Sequence, residues 1–205
     1  MSDRYNAVLL FGAPGVGKGT QGKILGSIPG FYHFSSGDMF RALDKNSELG
    51  KTFLSYSTKG LLVPDELTIR MWCEYMAGRV TAHAYNPQQQ LLLLDGIPRT
   101  VNQAQVMAPF VNVRKVVHLV ARDEEEMVRR MKHRAIKEHR PDDADERVIR
   151  KRFEVYHSET QPLLDFFAPD LVAEVVATAT PAQVLHDMLH VLVPVQEKAC
   201  TPWEG

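Results

Sequence analysis

The sequence predicts an α/β fold with a doubly wound parallel sheet, and three observations lead there. Short apolar runs at 7–11, 91–94, 116–120 and 171–176 alternate with segments long enough for crossover helices. The runs are mostly leucine or β-branched, which is how strands covered on both faces read. A glycine-dense turn follows the first run and opens into a helix-compatible stretch, the strand–turn–helix order of a βαβ unit. In such sheets ligands sit beyond the carboxyl ends of the strands, and several motifs here closely follow strand candidates.

At 205 residues the chain suits one domain with insertions, and 44% hydrophobic residues suffice for a sizeable core. A formal net charge of -1 argues against a nucleic-acid or membrane-surface partner, which would require a basic excess. No apolar run reaches membrane-spanning length, and Met1-Ser2-Asp3-Arg4 leads towards a strand and not a secretory leader. Cys73 and Cys200 are isolated and lack metal-ligand spacing, so a reducing cytoplasm is expected and a zinc site is not. With no exposed apolar stripe evident, a monomer is expected. Residues 194–205 are read as aperiodic and are expected to trail as a loose tail.

The first strand candidate runs into Gly12-Ala13-Pro14-Gly15-Val16-Gly17-Lys18-Gly19-Thr20-Gln21. Gly12, four residues, then Gly17-Lys18 is phosphate-loop spacing. Glycines let backbone amides turn inward at phosphates, the helix start adds partial positive charge, and Lys18 supplies a compact cation. The hydroxyl usual directly after the lysine is displaced by one position, since Gly19 precedes Thr20.

Ser35-Ser36-Gly37-Asp38-Met39-Phe40-Arg41 reads as a capped helix start that can receive an anion, with Arg41 as a bidentate clamp. A plain cap with a surface arginine is the competing reading. A helical stretch then ends at Lys59-Gly60, and Leu61-Leu62-Val63-Pro64 returns extended before Asp65 or Pro64 opens another helix. Such a segment suits a backbone-lined slot for a flat base, although ordinary loop packing explains it equally. Leu91-Leu92-Leu93-Leu94-Asp95-Gly96-Ile97-Pro98-Arg99-Thr100 places an acid at the tip of a buried strand, costly unless it faces a cation. Water-coordinated Mg²⁺ near Asp95 and Thr20 would satisfy it. Gln103 carries an amide able to donate to and accept from an adenine edge; a solvated helix face is its alternative.

Charge concentrates between 121 and 152, where Arg130 and Arg134 share one helix face, Arg140 precedes a short break at Pro141-Asp142-Asp143, and Arg147, Arg150, Lys151 and Arg152 follow it. That layout suits a hinged flap bringing guanidinium groups onto phosphates, or equally a solvated face. His133, His139 and His157 are expected at the surface, and His33, His118, His186 and His190 as packed or surface residues.

These motifs, in this order over roughly residues 7–190, resemble the adenylate kinase family, including the Lys18-Gly19-Thr20 order, Ser36-Gly37-Asp38-Met39-Phe40-Arg41, and Asp95-Gly96-Ile97-Pro98-Arg99-Thr100. The resemblance implies a phosphate-loop NTPase-like core at 1–34, 65–129 and 141–193, a monophosphate-binding insertion at 35–64 and a short lid at 130–140. It implies Mg²⁺-dependent phosphoryl transfer from ATP to AMP, giving two ADP. Gly15, Val16, Gly17, Lys18, Gly19, Thr20, Arg130, Arg134 and Ala179 would then contact ATP. Ser36, Arg41, Leu61, Leu62, Val63, Gly96, Ile97, Pro98, Arg99, Gln103, Arg140 and Arg152 would contact AMP. Lys18, Arg99, Arg134, Arg140 and Arg152 would carry catalysis. Lys151 rivals Arg152, because the stretch from Arg140 is one residue longer than the family pattern, and no glycine stands at Ala177-Thr178-Ala179 where the family commonly stacks adenine on backbone. A kinase for UMP, CMP or another monophosphate is the alternative enzyme, and a nucleotide sensor without turnover is the alternative outside catalysis.

Overall fold

Strands β1 (Tyr5–Phe11), β2 (Phe31–Ser35), β3 (Leu91–Asp95), β4 (Val111–Val120) and β5 (Val172–Val176) form one parallel sheet in the order β2-β3-β1-β4-β5. The computed structural model describes residues 4–138, 140 and 143–202; what the sequence suggested for Met1-Ser2-Asp3, His139, Pro141-Asp142 and 203–205 lies outside them. β2 was not among the expected strands. It is a sheet edge whose His33 and Ser35 are only partly buried, so no apolar run marks it.

Alternation along the central strands explains the two-layered core. Ala7, Leu9 and Phe11 of β1, with Leu92 and Leu94 of β3, face one hydrophobic cluster. Val8 and Leu10, with Leu91 and Leu93, face the other. The first cluster is closed by helices α2 (Ser36–Arg41), α4 (Asp65–Thr81), α5 (Val101–Met107) and α8 (Leu163–Phe166), through Met39, Phe40, Trp72, Met76, Met107 and Leu163. The second is closed by α1 (Lys18–Leu25), α6 (Glu124–Glu138), α7 (Glu146–Val155) and α9 (Pro181–Ala199), through Leu25, Met131, Phe153 and Met188. Each of these side chains, fully buried, contributes on the order of 1.5–3 kcal/mol from burial.

Local signals fix the helix ends nearest the cleft. Ser35 and Thr100 accept the backbone amides of Asp38 and Gln103, capping α2 and α5. Helix α3 (Glu48–Ser57) stops short of the expected Lys59-Gly60. Gly60, at φ +70°, closes it in a Schellman turn, with the Leu61 amide donating to the Tyr56 carbonyl at 3.1 Å.

The expected loose tail requires correction. Helix α9 continues through Pro194 to Ala199, and Val191, Val195 and Ala199, four residues apart, pack against the core. Pro194 and the polar Gln196-Glu197-Lys198 obscure that period in the sequence. The end is tied down further: Asn6 Nδ2 donates to the Ala199 carbonyl at 2.8 Å, and the Thr201 amide to the Gln88 carbonyl at 2.9 Å.

Candidate active site

The turn after β1 follows the backbone that its glycines allow. Gly12, Gly15 and Gly17 have φ of +139°, +79° and +112°. A Cβ at Gly12 would come within 2.5 Å of the Leu119 carbonyl oxygen, and one at Gly15 within 2.9 Å of the Met127 carbonyl oxygen. No other residue type fits this path. Gly17 is the N-cap of α1 and has no side-chain acceptor, so the first amides of the helix are left for a ligand. Lys18 folds back over the loop, its ammonium donating to the Gly12 and Ala13 carbonyls. Burial lowers its pKa to about 8, opposed by the charge of Asp95 and assisted by Arg99, Arg152 and Arg134.

Asp95 ends β3 beside this loop. Burial pushes its carboxyl up, but His33, Lys18 and Arg99 together outweigh that and hold it below the usual carboxylate range. His33 Nε2 lies 3.7 Å from Asp95 Oδ2 and is seated against α1, where a Cβ on Gly22 would meet the ring at 2.3 Å. This histidine was not singled out in the sequence as a neighbour of the acid, because its partner is distant along the chain. Thr20 and Asp95 both line the cleft, and no group of three or more His, Cys, Asp or Glu among the described residues could cage a metal. Thr20 and Asp95 offer oxygen donors, the ligand type that a hard cation such as Mg²⁺ takes.

Facing the loop, Ser36 is buried and its hydroxyl donates to the Gly96 carbonyl at 2.7 Å, joining α2 to the β3 turn. Arg99 Nε donates to the same carbonyl at 2.8 Å. Arg41 is held by Asp38 at 2.6 Å, and Asp38 also lies 3.6 Å from Lys23 and 3.9 Å from Arg140. Burial raises the Asp38 pKa, but these cations bring it below its ordinary value. Gln103 is 2% exposed. Its amide oxygen accepts the Arg99 backbone N–H, and its nitrogen donates to Asp65, each at 2.7 Å.

Within the charged stretch, two arginines share one buried counterion. Arg134 donates twice to Asp143 Oδ2, at 2.8 and 2.5 Å, and Arg152 donates to Asp143 Oδ1. Asp143 is wholly buried. Arg130 pairs with Glu126 one turn away, and Arg140 with Glu138 at 2.7 Å. Arg152 lines the cleft, whereas Lys151 pairs with Glu154 at the surface. Asp143 was missed as an anchor; an acid between two arginine clusters is the signal that could have found it.

Loop residues, Asp95, Ser36, Arg41, Arg99, Gln103, Arg130, Arg134, Arg140 and Arg152 line one cleft of about 630 Å³ at the carboxyl ends of the strands. Its lining includes Gly15, Val16, Gly17, Lys18, Gly19, Thr20, Arg130, Arg134 and Ala179 from the expected triphosphate side. Of the residues expected to contact AMP, it includes Ser36, Arg41, Leu61, Leu62, Val63, Gly96, Pro98, Arg99, Gln103, Arg140 and Arg152. Ile97 is the exception: it is 1% exposed and belongs to the apolar cluster, so it packs beneath the turn and does not line the cleft. Phe40 and Phe53, stacked at 5.2 Å, line the same half and were not predicted.

Comparison with known proteins agrees with this geometry. The family model for adenylate kinase matches residues 10–171. The chain is 41% identical over 166 residues to an adenylate kinase of Cyanothece sp., covering 78% of this chain and 80% of that protein. It is 36% identical over 165 residues to one from Parabacteroides distasonis, covering 78% and 83%. It is 33% identical over 219 residues to one from Streptomyces coelicolor, covering 90% and 97%. With a phosphate loop, an acid-tipped strand and converging arginines at one sheet rim, and with these matches, the chain belongs to the adenylate kinase family.

Proposed function

We propose that the protein catalyses reversible transfer of the γ-phosphoryl group of ATP to AMP, giving two ADP. The observation that carries this reading is the meeting of Lys18, Arg99, Arg134, Arg140 and Arg152 in a single cleft beside a phosphate loop. A phosphate oxygen of AMP forms the new bond to the γ-phosphorus as the bond to the β-phosphate oxygen breaks. That oxygen is already anionic at neutral pH, so no side-chain base is needed. Charge spreads over the transferred oxygens, and Lys18 with the guanidinium groups supplies fixed positive charge around it. The donor chain lies along the loop amides, and Arg41 and Arg99 grip the AMP phosphate. Thr20 and Asp95 would hold Mg²⁺ through water; when bound, the ion neutralises polyphosphate charge.

The insertion at 35–64 and the lid at 130–140 are proposed to close over the reactants, excluding the water that would otherwise hydrolyse ATP. Gln103 supports AMP as the acceptor because its amide matches the donor–acceptor order of an adenine edge. The decisive experiment is a coupled assay with ATP, Mg²⁺ and a panel of AMP, GMP, IMP, UMP and CMP. ADP formation should be fastest with AMP. Equal turnover of CMP or UMP would favour the pyrimidine-kinase reading, and ATP binding without turnover of any acceptor would favour a sensor.

A further inference from the structure

Asp65 opens α4 and stands behind Gln103, outside the described residues that line the cleft. Its Oδ1 accepts from Gln103 Nε2 at 2.7 Å. Its Oδ2 accepts from the Thr100 hydroxyl and from Asn102 Nδ2, each at 2.8 Å. The Gln103 oxygen, on the other side, accepts the Arg99 backbone N–H at 2.7 Å. An ionised carboxylate can only accept and a backbone amide can only donate. A carboxamide between them therefore has one allowed orientation, because turning it over would set its oxygen against the carboxylate and its NH₂ against the Arg99 amide. One N–H and one oxygen lone pair remain free, in a fixed spatial order.

That order can distinguish purines. Adenine presents an exocyclic amine, a donor, at the position where guanine and hypoxanthine present the O6 acceptor. A carboxamide free to turn over would accommodate both. We propose that Asp65 is a specificity-determining positioning residue: by fixing the Gln103 amide, it selects a 6-amino purine monophosphate over a 6-oxo purine monophosphate as acceptor. This rests on the reading of the site as an adenylate kinase cleft. It assigns to Asp65 a role beyond starting a helix, and one exerted without contact to the substrate.

The test compares kcat/KM for AMP with kcat/KM for IMP and GMP, using ATP and Mg²⁺ as donor. In the wild type AMP should be strongly preferred. Asp65→Asn, which can donate as well as accept, should lower the AMP-to-IMP ratio about tenfold, one buried hydrogen bond's worth, with the KM for ATP unchanged. Asp65→Ala, which removes the acceptor, should lower the ratio in the same direction. Asn102→Ala removes one donor to Asp65 without touching the amide and should leave the ratio as in the wild type. An unchanged ratio in Asp65→Asn or Asp65→Ala overturns the inference, as does an equal loss in Asn102→Ala. A wild type that makes no ADP from AMP would instead overturn the reading of the site, so the two failures are distinguishable.

Discussion

Lys18 carries the sharpest consequence at the scale of a single residue. Its free-protein pKa of about 8 lies below the ordinary 10.5, because burial disfavours the charged form. The sign follows from linkage. The unliganded fold gains stability from this group as pH rises through about 8, since the unfolded chain then holds the proton more tightly than the folded one. A bound polyphosphate favours the ammonium, so binding ATP between pH 8 and 9 should take up a proton, and affinity should fall as pH rises through that range. Calorimetry in buffers of different ionisation heat measures the uptake directly. Lys18→Met should abolish it and cost on the order of 10³-fold in turnover, in line with other phosphoryl-clamping cations, while leaving the circular dichroism spectrum intact. The role of Lys18 was legible because loop spacing is local. That of Asp65 was not: its carboxylate meets Gln103 only once α4 and α5 are packed together.

At the scale of elements, the charged helices show where sequence reasoning stopped. Flap and solvated face were equally consistent with the run from 121 to 152, because a helix of this composition reads the same either way. The structure shows side chains of both orientations in this run, some turned to solvent and some turned inward. Arg147 and Arg150 make exposed pairs with Asp145, Glu125 and Glu146, screened by solvent and so of little weight for stability. Arg134 and Arg152 turn inward onto Asp143. Asp143→Asn keeps the volume but removes the charge that aligns both guanidinium groups. It should lower kcat about 10²-fold with a smaller change in the KM for AMP, as expected when reacting groups lose alignment. Steady-state kinetics across both substrates checks the split. A drop in KM affinity alone, with kcat retained, would show that the arginines bind without being oriented by Asp143.

For the whole molecule, the sheet and its rim were legible in outline, since four of the five strands announce themselves as apolar runs. The edge strand β2 was hidden by its polar residues, and the last turns of α9 by Pro194. What no single stretch could reveal is that residues from 12–21, 35–63 and 130–140 line one volume. If they do so in function, a ligand spanning the whole cleft must stabilise the fold more than either half alone. An adenine dinucleotide joined by five phosphates, at about 1,000 times its Kd, should add about 4 kcal/mol and raise Tm by roughly 10 °C. ATP or AMP at equal concentration should raise it less, by differential scanning fluorimetry.

The bonds that hold Thr201 to Gln88 and Ala199 to Asn6 place the carboxyl end of the helix beside the starting ends of the strands, the pole of the sheet remote from the nucleotides. Cargo or a solid support attached beyond Pro202 therefore hangs from the back of the molecule. Such tethering leaves the mouth of the cleft unobstructed, making that end the natural handle for immobilisation.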